Sequence, residues 1–573
     1  MKLPVLAACL IAFAPLAAAD PLEPLIEAYQ AYVEAGSPGE AARAAGTAPR
    51  SWGSVRLPDI NARADQARAL LAEIEAVDSP RRVDIAILER LLKEDIISAE
   101  LDMARIPFTG DWGFQAAPVF AAMRVRLKSV EDGEAWVQRL NDVPRYFAEN
   151  RVNMARGITT GWTAYRDPLA TTREQIEAQI VDDPATSDLY QPFLTLPDTI
   201  PAAEAERLRA KGLAAAARAI QAYRDTARFI DLVYAPATRQ GAGIAALPGG
   251  HEAYAATIET HTAGAGYSPE EIHALGQAEV TRIRAEMQGV MAETGFKGSF
   301  SDFLAFLRSD PQFYAETDLE LMAKAREITS RIDVILPEYF HTLPKLGYTV
   351  DPVPLSIAPG YTTGRYVQGD IEEGRKGSYL VNTYALEQRP LYELPALSAH
   401  EAVPGHHLQI ALAQEMADQP RFRQDYYATA FGEGWGLYAE RIAGEAGIYE
   451  TPYERFGALS YEMWRACRLV ADTGLHWYGW TREEAEACFK ENSALSPLNI
   501  ETEVTRYIGW PGQATAYKIG ELKIRALRAE AEAALGDRFD IRDFHGVVLG
   551  QGAVPLDVLE AQVKAWIAEG VAP

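Results

Sequence analysis

Apolar residues recur every three or four positions along most of this chain. One such run comprises Ile85, Leu88, Leu92, Ile96 and Ala99. Because this spacing places apolar side chains on one helix face, it predicts a helix with one buried side. The 573 residues include no Ser/Gly-rich linker, low-complexity tract or evident repeat, although the length alone would suggest several domains.

We therefore predict a mainly α fold in which one large helical body has two lobes and a cleft between them. The predicted N-terminal helical lobe is residues 20–265, and residues 266–573 form the lobe that carries the candidate metal site; together they make one continuous structural unit. Two helix starts are well marked, after Ser268 and after Thr481, because a Glu follows each three residues later.

Residues 377–383 form the one convincing strand in the sequence. They read Gly-Ser-Tyr-Leu-Val-Asn-Thr, which alternates and is rich in strand-forming residues. The segment lies just upstream of a histidine cluster at residues 400–407. We expect a small β-sheet beside the helix that carries this cluster.

The histidine cluster reads His-Glu-Ala-Val-Pro-Gly-His-His and contains three of the nine histidines of the chain. Catalytic zinc usually takes three protein ligands, often two His and one Glu, and leaves one position for water. A neighbouring Glu can then remove a proton from that water. His400 and Glu401 therefore fit a first ligand and a general base.

The second ligand is harder to assign, because Pro404 occupies the position four residues after His400 where such motifs usually have a histidine. Proline lacks the N–H that would continue the helix, so Pro404 and the glycine after it should break or widen it. A two-residue bulge would return His406 to the metal, and a three-residue bulge would return His407. We prefer His406, because the smaller distortion suffices.

A third ligand is predicted on a downstream helix. Glu433 is surrounded by Gly432, Gly434 and Gly436, and each glycine costs a helix roughly 1 kcal/mol relative to alanine. That cost is explained if backbone segments approach closely around a ligand. Glu440 lies two turns further on nearly the same face, so it either orients a ligand histidine or is a surface acid.

Five segments of the chain together resemble the bacterial DUF885 family, a helical group similar to the gluzincin metallopeptidases. These segments are residues 377–383, 400–409, 432–440, 468–476 and 506–520. The resemblance implies a zincin-like site with one Zn²⁺ per chain. It implies His400, His406 and Glu433 as ligands and Glu401 as general base.

The same resemblance implies residues that contact a substrate. In zincins an edge strand pairs with an extended peptide, so Tyr379 and Asn382 are expected to face the substrate unless the strand belongs to a structural hairpin. Arg365 lies in another matching segment and could receive a peptide carboxylate. Asp472 and His476 are four residues apart, and they form either a pair that orients a ligand or a local hydrogen bond.

Peptide hydrolysis also needs a donor for the oxyanion. Arg506, Gln513 and Tyr517 share one stripe if they lie on one helix, unless Pro511 starts a new helix. We predict Tyr517 as the oxyanion donor on the strength of the family motif. Two rivals come from the same motifs, Tyr507 and His476.

Residues 1–19 combine a positive start, a short apolar run and three consecutive alanines, which is typical of a secretory signal peptide. We expect an exported protein, periplasmic or secreted, without lipid anchoring at Cys9, because the apolar region continues beyond that residue. No later apolar run of about 20 residues predicts a membrane span. Cys467 and Cys488 form either a disulfide or two buried thiols.

The net charge of -25 argues against nucleic acid or an anionic membrane as a partner. Our first prediction is an exported zinc-dependent peptidase that hydrolyses short or unfolded peptides. One alternative is a metal-dependent hydrolase of a non-peptide amide or ester. The other is a non-catalytic periplasmic protein that binds peptides or metal; the intact Glu401 argues against it, since a pure binder needs no general base.

Overall fold

A computed structural model describes residues 20–571, except residues 111, 356–357, 359–361, 372–373 and 417. The predicted signal peptide, residues 1–19 with Cys9, lies outside the described residues. Helices make up most of the described chain, which confirms the mainly α fold class. Among the described residues, no helix is both long and apolar enough to cross a membrane.

The helices of the first part of the chain are α1 (Glu23–Gly36), α2 (Pro38–Ala44), α3 (Leu57–Ala76), α4 (Arg82–Glu100), α5 (Ala117–Arg124), α6 (Val130–Thr160), α7 (Arg166–Ala178), α8 (Ala202–Phe229), α9 (Gly250–Thr262), α10 (Pro269–Glu293), α11 (Phe300–Ser309) and α12 (Asp318–Tyr339). Those that follow are α13 (Leu394–Glu401), α14 (His406–Gln414), α15 (Arg421–Asp425), α16 (Thr429–Glu445), α17 (Pro452–His476), α18 (Arg482–Asn492), α19 (Pro497–Gly509), α20 (Ala516–Leu535), α21 (Ile541–Leu549) and α22 (Leu556–Val571).

The local signals predicted from the sequence appear in these helices. Ser268 caps α10 and Thr481 caps α18, and in both cases the Glu at the third helical position completes a capping box. The apolar run that begins at Ile85 is the buried face of α4. These features depend on neighbouring residues only, which is why the sequence was sufficient to predict them.

The small sheet has three strands, β1 (Tyr348–Pro352), β2 (Gly364–Val367) and β3 (Gly377–Val381), in the order β1-β3-β2. Strand β3 is the predicted strand, and it pairs in parallel with β1 and antiparallel with β2. The prediction of an edge strand was therefore wrong, because both sides of β3 already pair with neighbours. The strands with an open side are β1 and β2.

Three groups of buried apolar side chains stabilise the described chain. The largest extends from Trp162 to Ile567 and includes side chains of α10, α13, α16, α17 and α20. A second lies between Phe108 and Tyr234, mainly on α6 and α8. A third joins the N-terminal helices α1, α3 and α4 to Phe422 of α15. The proposed division at residue 265 and the cleft stay predictions.

Helices α16 and α20 approach each other until their backbones touch. A Cβ atom added to Gly434 would lie 2.5 Å from the Cα of Gly520, and one added to Gly520 would lie 1.8 Å from the carbonyl oxygen of Ala430. Glycine is therefore required at both positions by space and not by backbone conformation. This contact fixes α16, which carries Glu433, against α20, which carries Tyr517.

A disulfide between Cys467 and Cys488 joins α17 to α18. The sequence had left two buried thiols as the alternative. A cross-link of this kind stabilises the folded state chiefly by restricting the unfolded chain. It anchors α17, which carries several of the polar side chains described below.

We expect Gly434→Ala to lower the free energy of unfolding by about 1–3 kcal/mol, because the added methyl group must separate α16 from α20. Gly289→Ala is the matched control, since a Cβ on this α10 glycine would meet no atom within 4 Å. The control should raise stability by roughly 0.5–1 kcal/mol through helix propensity. Chemical denaturation of both variants measures this, and equal effects would contradict the close-contact argument.

Candidate metal centre

The helix that carries His400 ends at Glu401, and a new helix begins at His406. Between them Pro404 offers no N–H, and two wide hydrogen bonds bridge the interruption: Gly405 N to Ala399 O, and His407 N to Ala402 O, both 3.0 Å. A Cβ at Gly405 would lie 1.9 Å from the His400 carbonyl oxygen. The predicted break therefore occurs, and glycine at 405 lets the chain fold back closely.

This break brings His400 and His406 together with Glu433 of α16. Glu433 Oε2 lies 3.6 Å from His400 Nε2 and 3.5 Å from His406 Nε2. One ligand atom from each of the three residues lies within 4.8 Å of the others. The two imidazole rings are nearly perpendicular, with centroids 4.8 Å apart. The structure thus brings together the three residues that the sequence favoured as ligands.

Helix α16 supports His400 from a second side. His400 Nδ1 lies 2.8 Å from Glu440 Oε1, and an Arg465 nitrogen lies 3.6 Å from the same oxygen. Gly436 leaves space for the ring, because a Cβ there would lie 2.7 Å from His400 Cε1. The bond to Glu440 turns Nε2 of His400 toward Glu433. Glu440 is therefore a buried partner of His400 and not a surface acid.

The carboxylates of Glu433 and Glu440 favour a positive charge on the histidines of this cluster. Burial opposes protonation of His400, but its hydrogen bonds to Glu433 and Glu440 prevail and raise its pKa to about 9. Burial also disfavours the charged Glu433 side chain, yet His400 and His406 hold its pKa well below the ordinary value. A bound metal cation would take the place of this positive charge.

Two histidines and one carboxylate form a donor set that suits catalytic zinc, and also non-haem iron. The residues fit such an ion, because their ligand atoms converge and Glu440 orients one histidine as metal-ligating histidines require. The second nitrogen of His406, Nδ1, is buried and has no hydrogen-bond partner among the residues described. His406 is therefore oriented by packing and by the contact of its Nε2 with Glu433, and not by a partner at Nδ1.

Glu401 follows His400 directly and is held by the sheet. Its Oε2 accepts a hydrogen bond of 2.8 Å from the backbone N–H of Tyr366 on strand β2. The strand next to the site is thus β2, and it reaches Glu401 through its main chain. Arg365, the neighbouring residue on β2, has an exposed side chain.

His407 points to the sheet and not to Glu433. Its Nδ1 lies 3.0 Å from the Tyr366 hydroxyl, and its ring packs 4.7 Å from the ring of Tyr348. Burial lowers the pKa of His407 to about 4, so it stays neutral. The structure therefore separates the two candidates for the second ligand and places His406 at the site.

Tyr517 lies in the first turn of α20, and sequence reasoning missed a second tyrosine near Glu433. The Tyr427 hydroxyl lies 3.4 Å from Glu433 Oε1, although Tyr427 as a whole is 48% exposed. Desolvation of this hydroxyl, with the charges of Glu433 and Tyr517 nearby, raises the pKa of Tyr427 well above its ordinary value. Tyr427 therefore supports Glu433 through its hydroxyl.

Several predicted substrate contacts are buried in the interior instead. Tyr379 is fully buried on the central strand with its hydroxyl 3.4 Å from Ser398 Oγ, and Asn382 is fully buried and donates to the carbonyl oxygens of Ala358 and Thr362. These partners hold the sheet and the loop beside it. The physical reason is that the Tyr379 side chain points from β3 to a buried face of the sheet, while Asn382, just after β3, turns to the carbonyl groups of the loop.

Asp472 and His476 do not form the predicted pair. Asp472 accepts hydrogen bonds from the Tyr254 hydroxyl and the Gly512 N–H, at 2.6 and 2.9 Å. His476 lies between the Ile244 N–H and the Tyr507 carbonyl oxygen, which satisfies both ring nitrogens. Both residues are buried in these interhelical contacts, so neither orients a metal ligand.

Arg506, Gln513 and Tyr517 do not share one helix, because α19 ends at Gly509 and α20 begins at Ala516. The turn between the two helices nevertheless brings Arg506 Nη1 to 2.6 Å from Gln513 Oε1. Tyr507 is buried, and its hydroxyl bonds to Trp464, Arg468 and Glu503. That set of partners makes Tyr507 a structural residue and a weak rival to Tyr517.

Sequence reasoning also missed Tyr366 and Arg465, which hold Glu401 and Glu440. Tyr366 lies 35 residues from Glu401 along the chain, so no local spacing connects them. A segment matching the resemblance contained Tyr366, and that was the available signal. Arg465 lay just before another matching segment and carried no signal of its own.

A second described group has the side-chain chemistry of a metal site, namely His341, Asp540 and Asp543. It lies on the surface, where His341 and Asp543 are both about half exposed. Arg542 already pairs with Asp540 there. Exposed acidic groups of this kind are common, and the buried group around His400 is the stronger candidate.

Comparison with protein families matches residues 40–563 to the bacterial proteins of unknown function called DUF885. A comparison with curated proteins found no significant match. A solved structure from Colwellia psychrerythraea, described as a "putative lipoprotein", superposes with a TM-score of 0.86 at 24% identity, covering 95% of this chain and 99% of that one.

A second solved structure, from Shewanella oneidensis and described as a "putative lipoprotein of unknown function", has a TM-score of 0.68 at 16% identity. It covers 94% of this chain and 96% of its own. At these identities the two likenesses show the fold alone. The match over residues 40–563 identifies the family, and the protein belongs to the bacterial DUF885 family.

Proposed function

We propose that this protein is an exported zinc-dependent peptidase that hydrolyses short or unfolded peptides. The observation that carries the proposal is the convergence of His400, His406 and Glu433 within 4.8 Å, next to Glu401. A buried group of two histidines and a glutamate beside a second glutamate matches the chemical needs of metal-assisted hydrolysis. The two histidines are buried and the two glutamates are partly buried, and packing alone gives no reason to gather these four polar side chains.

His400, His406 and Glu433 would hold the zinc ion. When bound, the ion would lower the pKa of a water molecule and polarise the carbonyl group to be attacked. Glu440 keeps His400 in the tautomer that presents Nε2, because it accepts the Nδ1 proton. Arg465 in turn balances the charge of Glu440 in the interior.

Glu401 is the proposed general base. The Tyr366 N–H orients one of its oxygens, and the other can accept a proton from the attacking water. In hydrolysis the water oxygen joins the carbonyl carbon, the C–N bond breaks, and the proton held by Glu401 passes to the departing amine. Glu401 is the last residue of α13, at the point where the helix is interrupted.

Tyr517 is the proposed oxyanion donor, and the structure adds Tyr427 as a competitor. A phenol donates a hydrogen bond only while it is protonated, and the raised pKa of Tyr427 keeps its proton in place. Tyr427 already directs its hydroxyl toward Glu433, however, which suits a support of that ligand. Tyr517 is the better donor, because its hydroxyl has no such partner among the described residues.

The export part of the proposal is supported by two observations. The first 19 residues follow the pattern of a signal peptide. Two proteins of the same fold are described as putative lipoproteins, a class of exported proteins. Anchoring through Cys9 is not part of the proposal.

Replacing Glu401 by Gln should abolish peptide hydrolysis, by about 10²–10⁴-fold in kcat, while the zinc content stays near one per chain. The measurement is metal analysis together with cleavage of a mixed peptide library followed by mass spectrometry. Glu445→Gln, an acid on α16 that pairs with surface arginines, is the control and should remain active. Zinc without cleavage in the wild type would move the search to non-peptide amides and esters, and no zinc at all would refute the site.

Tyr517→Phe should lower kcat by about 10²–10³-fold without changing zinc content, because it removes one oxyanion donor. Tyr427→Phe should have a smaller effect, since its hydroxyl is directed at Glu433. The comparison of kcat for the two variants decides between them. A larger loss with Tyr427→Phe would reassign the donor.

Glu440→Gln should weaken zinc binding by about 10–100-fold, because His400 loses the carboxylate that orients it. The zinc dissociation constant can be measured by competition with a chromophoric chelator. Glu445→Gln again serves as control, as this acid lies on the same helix and, among the residues that the structure describes, pairs with Arg441 and Arg528 and not with a histidine. Equal affinities in the two variants would show that Glu440 does not support the site.

A further inference from the structure

Two arginines lie beside Tyr517 in an arrangement that the proposed chemistry does not use. Arg468 of α17 and Arg506 of α19 both approach this tyrosine, and Glu503 and Tyr507 complete the group, which we call the arginine cluster. The guanidinium carbon of Arg468 lies 4.4 Å from the centre of the Tyr517 ring. Arg506 interacts electrostatically with Tyr517 as well.

The arginine cluster contains more positive charge than its acid can balance. Arg468 Nη2 and Arg506 Nη2 share a single carboxylate oxygen, Glu503 Oε2, at 2.9 and 3.2 Å. The Tyr507 hydroxyl donates to that same oxygen at 2.7 Å. Two guanidinium groups and one carboxylate leave one positive charge, in a protein whose net charge is -25.

Arg468 also keeps a donor without an acceptor. Its Nε bonds to the Tyr507 hydroxyl, but Nη1 is buried and has no hydrogen-bond partner among the described residues, and the residue is only 4% exposed. Buried polar groups in proteins are nearly always paired. The Arg468 guanidinium carbon also lies 4.5 Å from the centre of the Trp464 ring, so aromatic faces stabilise part of its charge. The surplus positive charge and the unpaired donor together make the cluster suitable for binding an anion.

Arg506 is the member of the cluster that an anion can reach. Its side chain is 15% exposed, and its hydrogen bonds to Gln513 and Glu503 leave several of the five N–H donors of the guanidinium group. Gln513 is neutral, so it fixes the orientation of Arg506 without cancelling its charge. A planar guanidinium group held in this way suits a carboxylate, which it can bind through two parallel hydrogen bonds.

Asp472, the other acid that interacts with the arginine cluster, does not fill this role. Asp472 interacts electrostatically with Arg506, but its carboxylate is bound by Tyr254 and by the Gly512 N–H. Burial raises the pKa of Asp472 to about 7, so much of its charge is absent near neutral pH. Asp472 therefore leaves Arg506 available.

The arginine cluster adjoins the candidate metal centre through two tyrosines. The Arg468 guanidinium carbon lies 4.4 Å from the centre of the Tyr517 ring, and Tyr517 lies one helical turn before Gly520, whose backbone meets Gly434 next to Glu433. The Tyr427 hydroxyl lies 3.4 Å from Glu433 Oε1 on the same side of the site. This proximity allows one substrate to reach both Arg506 and the metal centre.

We propose that the arginine cluster binds a carboxylate of the peptide substrate, with Arg506 as the direct contact and Arg468 as its electrostatic support. This inference rests on the proposed peptidase function and names its substrate class. If the carboxylate is the free C-terminus, the enzyme removes residues from that end, as a carboxypeptidase does. If the carboxylate is an acidic side chain, the enzyme selects peptides by sequence.

The test uses one mixed hexapeptide library with acetylated N-termini and no Asp or Glu at its varied positions, prepared in three forms: with a free C-terminal carboxylate, with a C-terminal amide, and with a C-terminal amide after a final glutamate. Zinc-loaded Glu401→Gln protein reports binding, as peptide retained on ultrafiltration and identified by mass spectrometry. Wild-type protein reports cleavage of the same three libraries. Because binding is read without turnover, the two readouts separate the subsite from the catalysis.

We expect the forms that carry the recognised carboxylate to bind about 10–100-fold better than the plain amide. Arg506→Gln should remove this preference, and Arg506→Lys should restore only part of it, because lysine keeps the charge but lacks the planar fork. Arg525→Gln is the matched control, since this α20 arginine is also partly buried and paired with glutamates. Zinc content and thermal unfolding confirm that each variant is folded.

The possible results separate cleanly. Preference for the free C-terminus, or for the glutamate form, supports the subsite and identifies the source of the carboxylate. Equal binding of all three forms overturns the proposed subsite, and so does a preference that survives in folded Arg506→Gln. If Arg506→Gln does not fold, an unchanged preference in Arg506→Lys overturns the subsite instead. If peptides with the carboxylate bind preferentially but the wild type cleaves none of them, the peptidase function is refuted and the subsite stands. If the wild type cleaves all forms and binding shows no preference, the subsite is refuted and the peptidase function stands.

Discussion

Three glycines in the first half of α16, on more than one face of the helix, allow the close contacts on which the candidate site depends. Gly432 leaves room for the Tyr427 ring, Gly434 admits the backbone of α20, and Gly436 admits the His400 ring. A methyl group at any of these positions would overlap its neighbour. Glu433 lies between Gly432 and Gly434. The glycines lower the stability of α16, but they let neighbouring segments approach it, and the Glu433 carboxylate thereby lies next to two histidines.

Charge gives the second constraint, because the site buries more carboxylates than fixed cations. Glu401, Glu433 and Glu440 surround His400, and Arg465 is the arginine that contacts one of them. Burying unpaired charge costs several kcal/mol per ion, so a protonated histidine or a divalent cation must supply the balance. The arginine cluster beside Tyr517 has the opposite surplus. A substrate with a carboxylate at one end and a carbonyl group at the cleavage point would match both.

The parts predicted from the sequence were those that depend on near neighbours. The capped starts of α10 and α18, the buried face of α4 and strand β3 follow from local spacing. The interruption after Glu401 followed from Pro404, which cannot donate a backbone hydrogen bond. The preference for His406 over His407 came from an argument about the least distortion, and the structure places His406 accordingly.

The sequence by itself determined the helical class, the residue types of the site and the point at which its helix must break. Only the tertiary structure decided which side chains meet, because those contacts join residues far apart in the chain. It placed Tyr366 on Glu401 and Tyr427 on Glu433, and it assigned Asp472 and His476 to interhelical contacts. Spacing reports which face of its own element a residue occupies, whereas the packing of elements decides what that face meets.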